Sequence, residues 1–120
     1  MNTSEFKLLL AKSEFIPKEI LEIFAKDKKW IVRARVAQNL KSSKEILEIL
    51  EKDEEWIIRT YVARNLNTSE ETLKLLAKDE EQLVRGSVAE NSNTPKEIFE
   101  ILSKDKNYYV RESVAKILKT

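Results

Sequence analysis

Four aspartates and four arginines recur along the chain at a fixed spacing, and they are its most chemically suggestive residues. Each aspartate precedes an arginine by six residues, as in DKKWIVRARVAQN at 27–39. A carboxylate can act as a general base and a guanidinium can bind an anion, so such a pair could serve catalysis. A nucleophile would also be needed, and nothing near these residues could serve as one. We therefore predict a structural ladder in which each aspartate lies beside its own or a neighbouring arginine: Asp27, Arg33, Asp53, Arg59, Asp79, Arg85, Asp105 and Arg111.

The ladder is one column of a 26-residue repeat, and each repeat predicts two helices. The first helix begins with a capping signature, clearest at Thr94-Pro95, and the second follows the aspartate, which is a good N-cap. Asn39, Asn65 and Asn91 suit helix C-termini because asparagine tolerates the left-handed conformation. Neither helix can bury its apolar stripe alone, so the pairs must stack. We expect nine helices in one domain, with a half-repeat at 1–15 and full repeats at 16–41, 42–67, 68–93 and 94–119.

Composition narrows the classes of function. The chain has 120 residues and a net charge of +1, which argues against a general polyanion binder. Cysteine and histidine are both absent, which excludes disulfides and removes the commonest metal ligands and general base. The first residues are not typical of a signal peptide, and no stretch approaches the about 20 apolar residues of a membrane span. We expect a cytoplasmic protein that is not an enzyme, with no cofactor, no metal and no membrane partner.

Two segments carry a resemblance to a known family. NTSEETLKLLAKDEEQLVRGSVAEN at 67–91, followed by NTPKEIFEIL, resembles the leucine-rich repeat variant family with its VRxxVAxN and NxTPxxxL segments. The Asp-x5-Arg spacing is also similar to HEAT repeats. The resemblance implies an all-α, right-handed α-solenoid of stacked helix pairs, with a concave groove lined by the second helices. Leu40, Leu66 and Ser92 replace the proline usual after the repeat asparagine, and the absence of cysteine rules out an iron–sulfur module.

The residues that face such a groove are candidates for binding a partner. If positions equivalent to 32, 33, 36 and 37 enter the core, those equivalent to 30, 31, 34, 35 and 38 face the groove. These positions vary between repeats, whereas the core and ladder positions hardly change. The alternative is that the tryptophans and the column at 31 pack between repeats as core. The predicted partner-binding residues are Leu8, Leu9, Trp30, Ile31, Arg35, Trp56, Ile57, Thr60, Tyr61, Arg64, Gly86, Glu90, Tyr108 and Glu112.

The predicted function is a protein-binding scaffold, an adaptor or inhibitor that recognises another protein through its concave face. One alternative is a nucleic-acid-binding HEAT-like module, which the mixed charges of the groove disfavour. Another is a self-assembling unit, because Ile117 and Leu118 stand where a polar cap should be and favour weak end-to-end association through the last helix. Gly86, the only glycine, is either tolerated drift or a notch for a partner's backbone. Both accounts predict that Gly86→Ala stabilises the free protein.

Overall fold

Two kinds of helix alternate along the chain. The computed structural model describes residues 1–119, which form nine α-helices and no strand, as predicted. The inner-row helices, as we name them, are α1 (Thr3–Ala11), α3 (Trp30–Gln38), α5 (Trp56–Arg64), α7 (Gln82–Glu90) and α9 (Tyr108–Leu118). The outer-row helices are α2 (Lys18–Phe24), α4 (Lys44–Leu50), α6 (Glu70–Leu76) and α8 (Lys96–Leu102).

The outer-row helices begin at serine caps or just after proline. Ser43 and Ser69 accept hydrogen bonds from the amide three residues later, at 3.3 and 3.1 Å. Helix α8 begins after Pro95, whose φ of −61° leads into the first turn. The prediction that Thr94 caps this helix is wrong, because its hydroxyl donates to the carbonyl oxygen of Val88 at 2.6 Å. Thr94 therefore closes the preceding helix α7 instead of opening α8.

The ladder aspartates order the turns ahead of α3, α5, α7 and α9 and are not themselves N-caps. Lys29 is the N-cap residue of α3, and its amide donates to Oδ1 of Asp27 at 2.9 Å. Likewise Asn107, not Asp105, is the N-cap of α9, and Asp105 accepts from the Asn107 amide at 2.9 Å. Such an Asx turn uses one carboxylate oxygen locally. The same carboxylate also accepts from a basic side chain of the preceding layer, through both oxygens in Asp53, Asp79 and Asp105.

The repeated asparagines are not left-handed. Asn39, Asn65 and Asn91 have φ values of −74°, −70° and −84°. Their side chains instead reach back to the preceding repeat: the Asn65 amide donates to the carbonyl oxygens of Ala37 at 2.9 Å and Asn39 at 3.1 Å. The same pair of contacts recurs at Asn39 and Asn91. These buried amides satisfy carbonyls that a helix end would otherwise leave unpaired.

The helices pack in two rows along a body that measures 46 × 22 × 21 Å. The inner-row helices are close neighbours in chain order, while each outer-row helix packs on the two inner-row helices that flank it in sequence. We call one inner-row helix with the outer-row helix before it a layer. The largest fully buried side chains lie between the rows and between layers: Leu21, Ile46, Leu47, Leu50, Ile58, Leu73, Leu76, Leu102, Val32, Val36, Val62 and Val84. Among residues 1–119, none of the helices has the length and hydropathy that crossing a membrane requires.

Candidate functional site

The ladder joins consecutive layers. Arg59 donates from Nε and Nη2 to the two carboxylate oxygens of Asp79, at 2.8 and 3.2 Å, and from Nη1 to the carbonyl oxygen of Asp53 at 2.7 Å. Arg33 and Arg85 repeat this arrangement with the aspartates 20 residues later. The Asp79 carboxylate raises the pKa of Arg59. Each arginine therefore pairs with the aspartate of the following layer and holds its own turn through a carbonyl.

The two ends of the ladder differ from its middle. Lys7 takes the place of an arginine and donates to Asp27 at 2.8 Å. Burial alone would raise the pKa of Asp27, but the Lys7 ammonium and the Lys29 amide outweigh burial and hold this pKa below its usual value. At the other end Arg111 donates to the Asp105 carbonyl oxygen at 2.7 Å and has no carboxylate partner among residues 1–119. The ladder side chains bond to one another and to turn carbonyls, which fits the predicted structural role.

A row of exposed aliphatic side chains, absent from the predicted site, borders the ladder. Its members lie at equivalent positions of the four outer-row helices: Ile23, Ile49, Leu75 and Ile101. Leu75 lines a depression together with Arg59 and Asp79, and Ile23 lines one with Lys7 and Asp27. Leu75 and Ile23 therefore lie beside two of the ladder pairs, and all four side chains are themselves exposed. Their uniformity from layer to layer marks them as part of the ladder's surroundings.

The surface formed by the inner row, which we call the inner surface, carries most of the predicted partner-binding residues. Trp30 and Trp56 expose 44% and 39% of their area, so neither is core between layers. Of the other predicted residues, the following are exposed: Leu9, Arg64, Glu90 and Tyr108. The following are half-buried: Leu8, Ile31, Arg35, Ile57, Tyr61 and Glu112.

Thr60 and Gly86 are not exposed side chains of the inner surface, although Thr60 also lines a pocket there. Both are buried, because their column lies where neighbouring inner-row helices come close together, as the buried Ala34 also does. The Thr60 hydroxyl donates to the Trp56 carbonyl oxygen at 3.0 Å. A Cβ at Gly86 would lie 2.3 Å from Cε2 of Tyr109. The space above Gly86 is thus filled by a tyrosine of the next layer, so the residue is neither drift nor a notch open to a partner.

A pocket of about 230 Å³ opens on the inner surface between α5, α7 and α9. Arg64 stands at the pocket and pairs with Glu90 at 3.5 Å, and Glu90 also accepts from the Tyr109 hydroxyl at 3.3 Å. The pocket is therefore largely apolar, with a cation and a carboxylate beside it. It is lined by Trp56, Ile57, Thr60, Tyr61, Arg64, Leu83 and Tyr109.

Sequence reasoning left Leu83 and Tyr109 out of the predicted site. Both occupy the column of Ile31 and Ile57, whose members all proved half-buried rather than fully core. The lone glycine of α7 lies opposite the Tyr109 ring of α9. A small residue in one layer matched to a large one in the next is the signal that would have assigned Tyr109.

A second, wider depression of about 730 Å³ lies toward the first layers. Among its residues Arg35 is distinctive, because Nη1 donates to Gln38 at 2.9 Å while Nε is buried with no hydrogen-bond partner. Three of the lining side chains are cationic and one is a carboxylate. They are Lys12, Glu14, Arg35, Gln38, Asn39, Leu40 and Lys41.

Comparisons with known proteins returned no match, whether against family models, curated proteins or solved structures. The resemblance to leucine-rich repeat variants therefore rests on the repeated segments alone and stays a prediction. Among residues 1–119, no three histidine, cysteine, aspartate or glutamate side chains come together in a way that could hold a metal ion.

Proposed function

We propose that this protein is a non-enzymatic scaffold that binds a partner protein through its inner surface. The observation that carries the proposal is the pocket beside Trp56, where a half-exposed tryptophan, tyrosines and an arginine meet. Tryptophan, tyrosine and arginine dominate the energetics of protein interfaces, and they act from pockets at the centre of the contact. Trp30 and Trp56 are the largest apolar side chains in the chain and still expose 44% and 39% of their area, so packing between layers does not account for them.

We also propose that the layers form a right-handed α-solenoid with a 26-residue unit, similar to leucine-rich repeat variants and HEAT repeats. Three contacts that recur at this interval support the proposal: the arginine to the next aspartate, the asparagine to the preceding layer, and the Ser42, Thr68 and Thr94 hydroxyls to the preceding helix. The inner-row helices lie closer to one another than the outer-row helices do. A stack with that difference curves toward its inner row, so the binding surface would be concave.

A pocket of about 230 Å³ is smaller than the roughly 300–1,000 Å³ of small-molecule sites, which favours a side chain of a protein as its occupant. Nucleic acid would need a more uniformly positive face. Two of the cations on the inner surface are already paired, Arg64 with Glu90 and Lys116 with Glu112. Both features favour a protein partner.

Selection from a random peptide library displayed on phage tests the proposal. We expect wild-type protein to enrich peptides whose affinity falls about 30-fold, or about 2 kcal/mol, on Trp56→Ala. Ile101→Ala, which truncates an exposed aliphatic side chain on the outer row, is the matched control and should leave the affinity unchanged. Because Trp56 is 39% exposed, Trp56→Ala should cost less than the about 3–5 kcal/mol of a core deletion.

Two results would contradict the proposal. One is a library that yields no enriched peptides, or peptides that bind the two variants equally. The other is a gel shift in which duplex or single-stranded nucleic acid binds with a steep dependence on salt, which would assign the surface to that class of ligand.

A further inference from the structure

Among the described residues, the cations along the inner surface are paired with carboxylates toward one end of the protein and unpaired toward the other. Toward the last layers, Arg64 pairs with Glu90 at 3.5 Å and Lys116 with Glu112 at 3.3 Å. Toward the first layers, Lys12, Arg35 and Lys41 form no ion pair within residues 1–119, and the three meet in the wide depression. Glu14 is the one carboxylate that lines the same depression. This end of the surface keeps positive charge that the protein itself does not neutralise.

Arg35 is the cation of this depression whose hydrogen-bonding groups are only partly satisfied. Its Nη1 is held by Gln38 at 2.9 Å, and its Nε is buried without a partner. A buried donor that makes no hydrogen bond is costly, so the Arg35 side chain gains if it turns its Nε toward an acceptor. A carboxylate suits such a guanidinium because it can take two of its N–H groups at once. Within the same protein Arg33, Arg59 and Arg85 each bind a carboxylate in that way, through Nε and Nη2.

The pocket beside Trp56 offers the complementary chemistry. Its walls are mainly Trp56, Ile57, Tyr61, Leu83 and Tyr109, and its volume of about 230 Å³ suits one large apolar side chain. Its own cation is Arg64, which already has Glu90 as a partner. The two depressions therefore differ in kind: one is cationic and polar, and the other is aromatic.

The distance between the depressions follows from the packing of the inner row. The cationic depression lies at the C-terminal ends of α1 and α3, and the aromatic pocket lies between α5, α7 and α9, about two steps along the row. Packed helices are about 8–10 Å apart, so the two centres are about 20 Å apart. An extended chain covers that distance in about six residues at roughly 3.3 Å each.

We propose, building on the proposed function, that the partner contributes an extended acidic segment to the inner surface. A carboxylate of this segment lies over Arg35 between Lys12 and Lys41. About six residues away, a large apolar side chain enters the pocket beside Trp56. The carboxylate sets the position of the segment through the guanidinium, and the apolar anchor supplies most of the affinity.

Synthetic peptides of about 12 residues test this arrangement directly. The probe carries two glutamates, a spacer of about six serines and glycines, and one tryptophan, with fluorescein at one end. Three matched peptides replace the glutamates by glutamine, replace the tryptophan by serine, or shorten the spacer to about two residues. Anisotropy titrations at about 50 mM and about 300 mM salt measure affinity, and circular dichroism verifies that every protein variant is folded.

We expect the probe to bind wild-type protein and to weaken about tenfold on Arg35→Gln, on glutamate-to-glutamine replacement and at the higher salt concentration. It should weaken about 30-fold on Trp56→Ala. Lys74→Gln, on the exposed side of the outer-row helix α6, is the matched control for charge and should change nothing. The short-spacer peptide should engage one depression only and bind about as weakly as the peptides that lack one group.

Each contrary result has a distinct meaning. If the glutamine peptide binds as well as the probe and both depend on Trp56, the acidic segment is wrong while the proposed function stands. If the short-spacer peptide binds as tightly as the probe, the two-point arrangement is wrong. If no peptide binds and library selection also yields nothing, the proposed function fails with it. A single-stranded oligonucleotide that binds more tightly than the probe and depends on Arg35 would reassign the cationic depression to nucleic acid.

Discussion

Arg59→Ala should lower the free energy of unfolding by about 3–5 kcal/mol, because it removes the central rung of the ladder. The side chain donates three hydrogen bonds: two to the Asp79 carboxylate and one to the Asp53 carbonyl oxygen. Only 13% of the Arg59 side chain and 9% of the Asp79 side chain are exposed. Truncation therefore leaves a carboxylate with little access to water and with only the Glu81 amide at 2.9 Å as a donor. A chain of this length would lose roughly 10–20 °C in its melting temperature.

The chain contains its own control. Arg111 occupies the same repeat position and donates to the Asp105 carbonyl oxygen at 2.7 Å, but it is exposed and has no carboxylate partner among residues 1–119. Arg111→Ala should cost about 1 kcal/mol, the value of one hydrogen bond, and Lys74→Ala on the surface less still. Urea unfolding followed by circular dichroism measures all three. Equal losses for the arginine at 59 and the one at 111 would refute the argument that the interlayer carboxylate carries the cost.

Three further predictions concern other features. Gly86→Ala should destabilise the protein by about 1 kcal/mol or more, because the new methyl group displaces the Tyr109 ring. In a Tyr109→Ala background the same substitution should be stabilising. Thermal melts of Gly86→Ala in both backgrounds measure this coupling. The pKa values of Asp27 and Asp105 are lowered in the folded protein, so their contribution to the free energy of unfolding is complete above about pH 5 and is lost as pH falls through the folded values. In urea unfolding, Asp105→Asn should therefore lose less stability than wild type between about pH 5 and pH 2. Parallel curves of stability against pH for the two proteins would contradict this. Leu118, 74% exposed at an apolar depression of about 400 Å³, should drive weak end-to-end association that Leu118→Lys removes, and sedimentation that shows monomer at millimolar concentration would count against it.

The helices could be predicted from the sequence because every local signal occurs four times along the chain. Apolar spacing in each unit predicts two helices, and the structure has them, with inner-row helices that begin at 30, 56, 82 and 108. The local signals gave capping roles to residues whose side chains in fact make contacts between layers. Asp105 has the residue type of an N-cap, yet its carboxylate is shared between the turn at Asn107 and the guanidinium of Arg85. Asn65 has the type of a left-handed helix end, yet its amide bonds to the layer before it.

The candidate site was predicted in part, for a similar reason. Helical spacing correctly assigned Trp30 and Trp56 to a surface, since their column points away from the core in every layer. It could not decide that Thr60 and Gly86 are buried, because that depends on how closely the inner-row helices approach one another. Periodicity within one helix says nothing about this distance. Comparing side-chain sizes across neighbouring layers does give information about the distance between the helices. The small Gly86 in one layer lies opposite the large Tyr109 in the next.

The ladder contacts and the proposed recognition use different positions of the same short helix. Arg59 lies three residues after Trp56 in α5, yet it faces the ladder, while Trp56 faces the inner surface. The ladder position is arginine in every full layer, whereas the tryptophan position becomes Gln82 and then Tyr108 in the last two. A substitution on the inner surface at that position leaves the ladder contacts of its helix in place, so under the proposed function it would change what binds at little cost in stability. We therefore expect stability to depend on the ladder positions, and the proposed binding to depend on the exposed positions beside them.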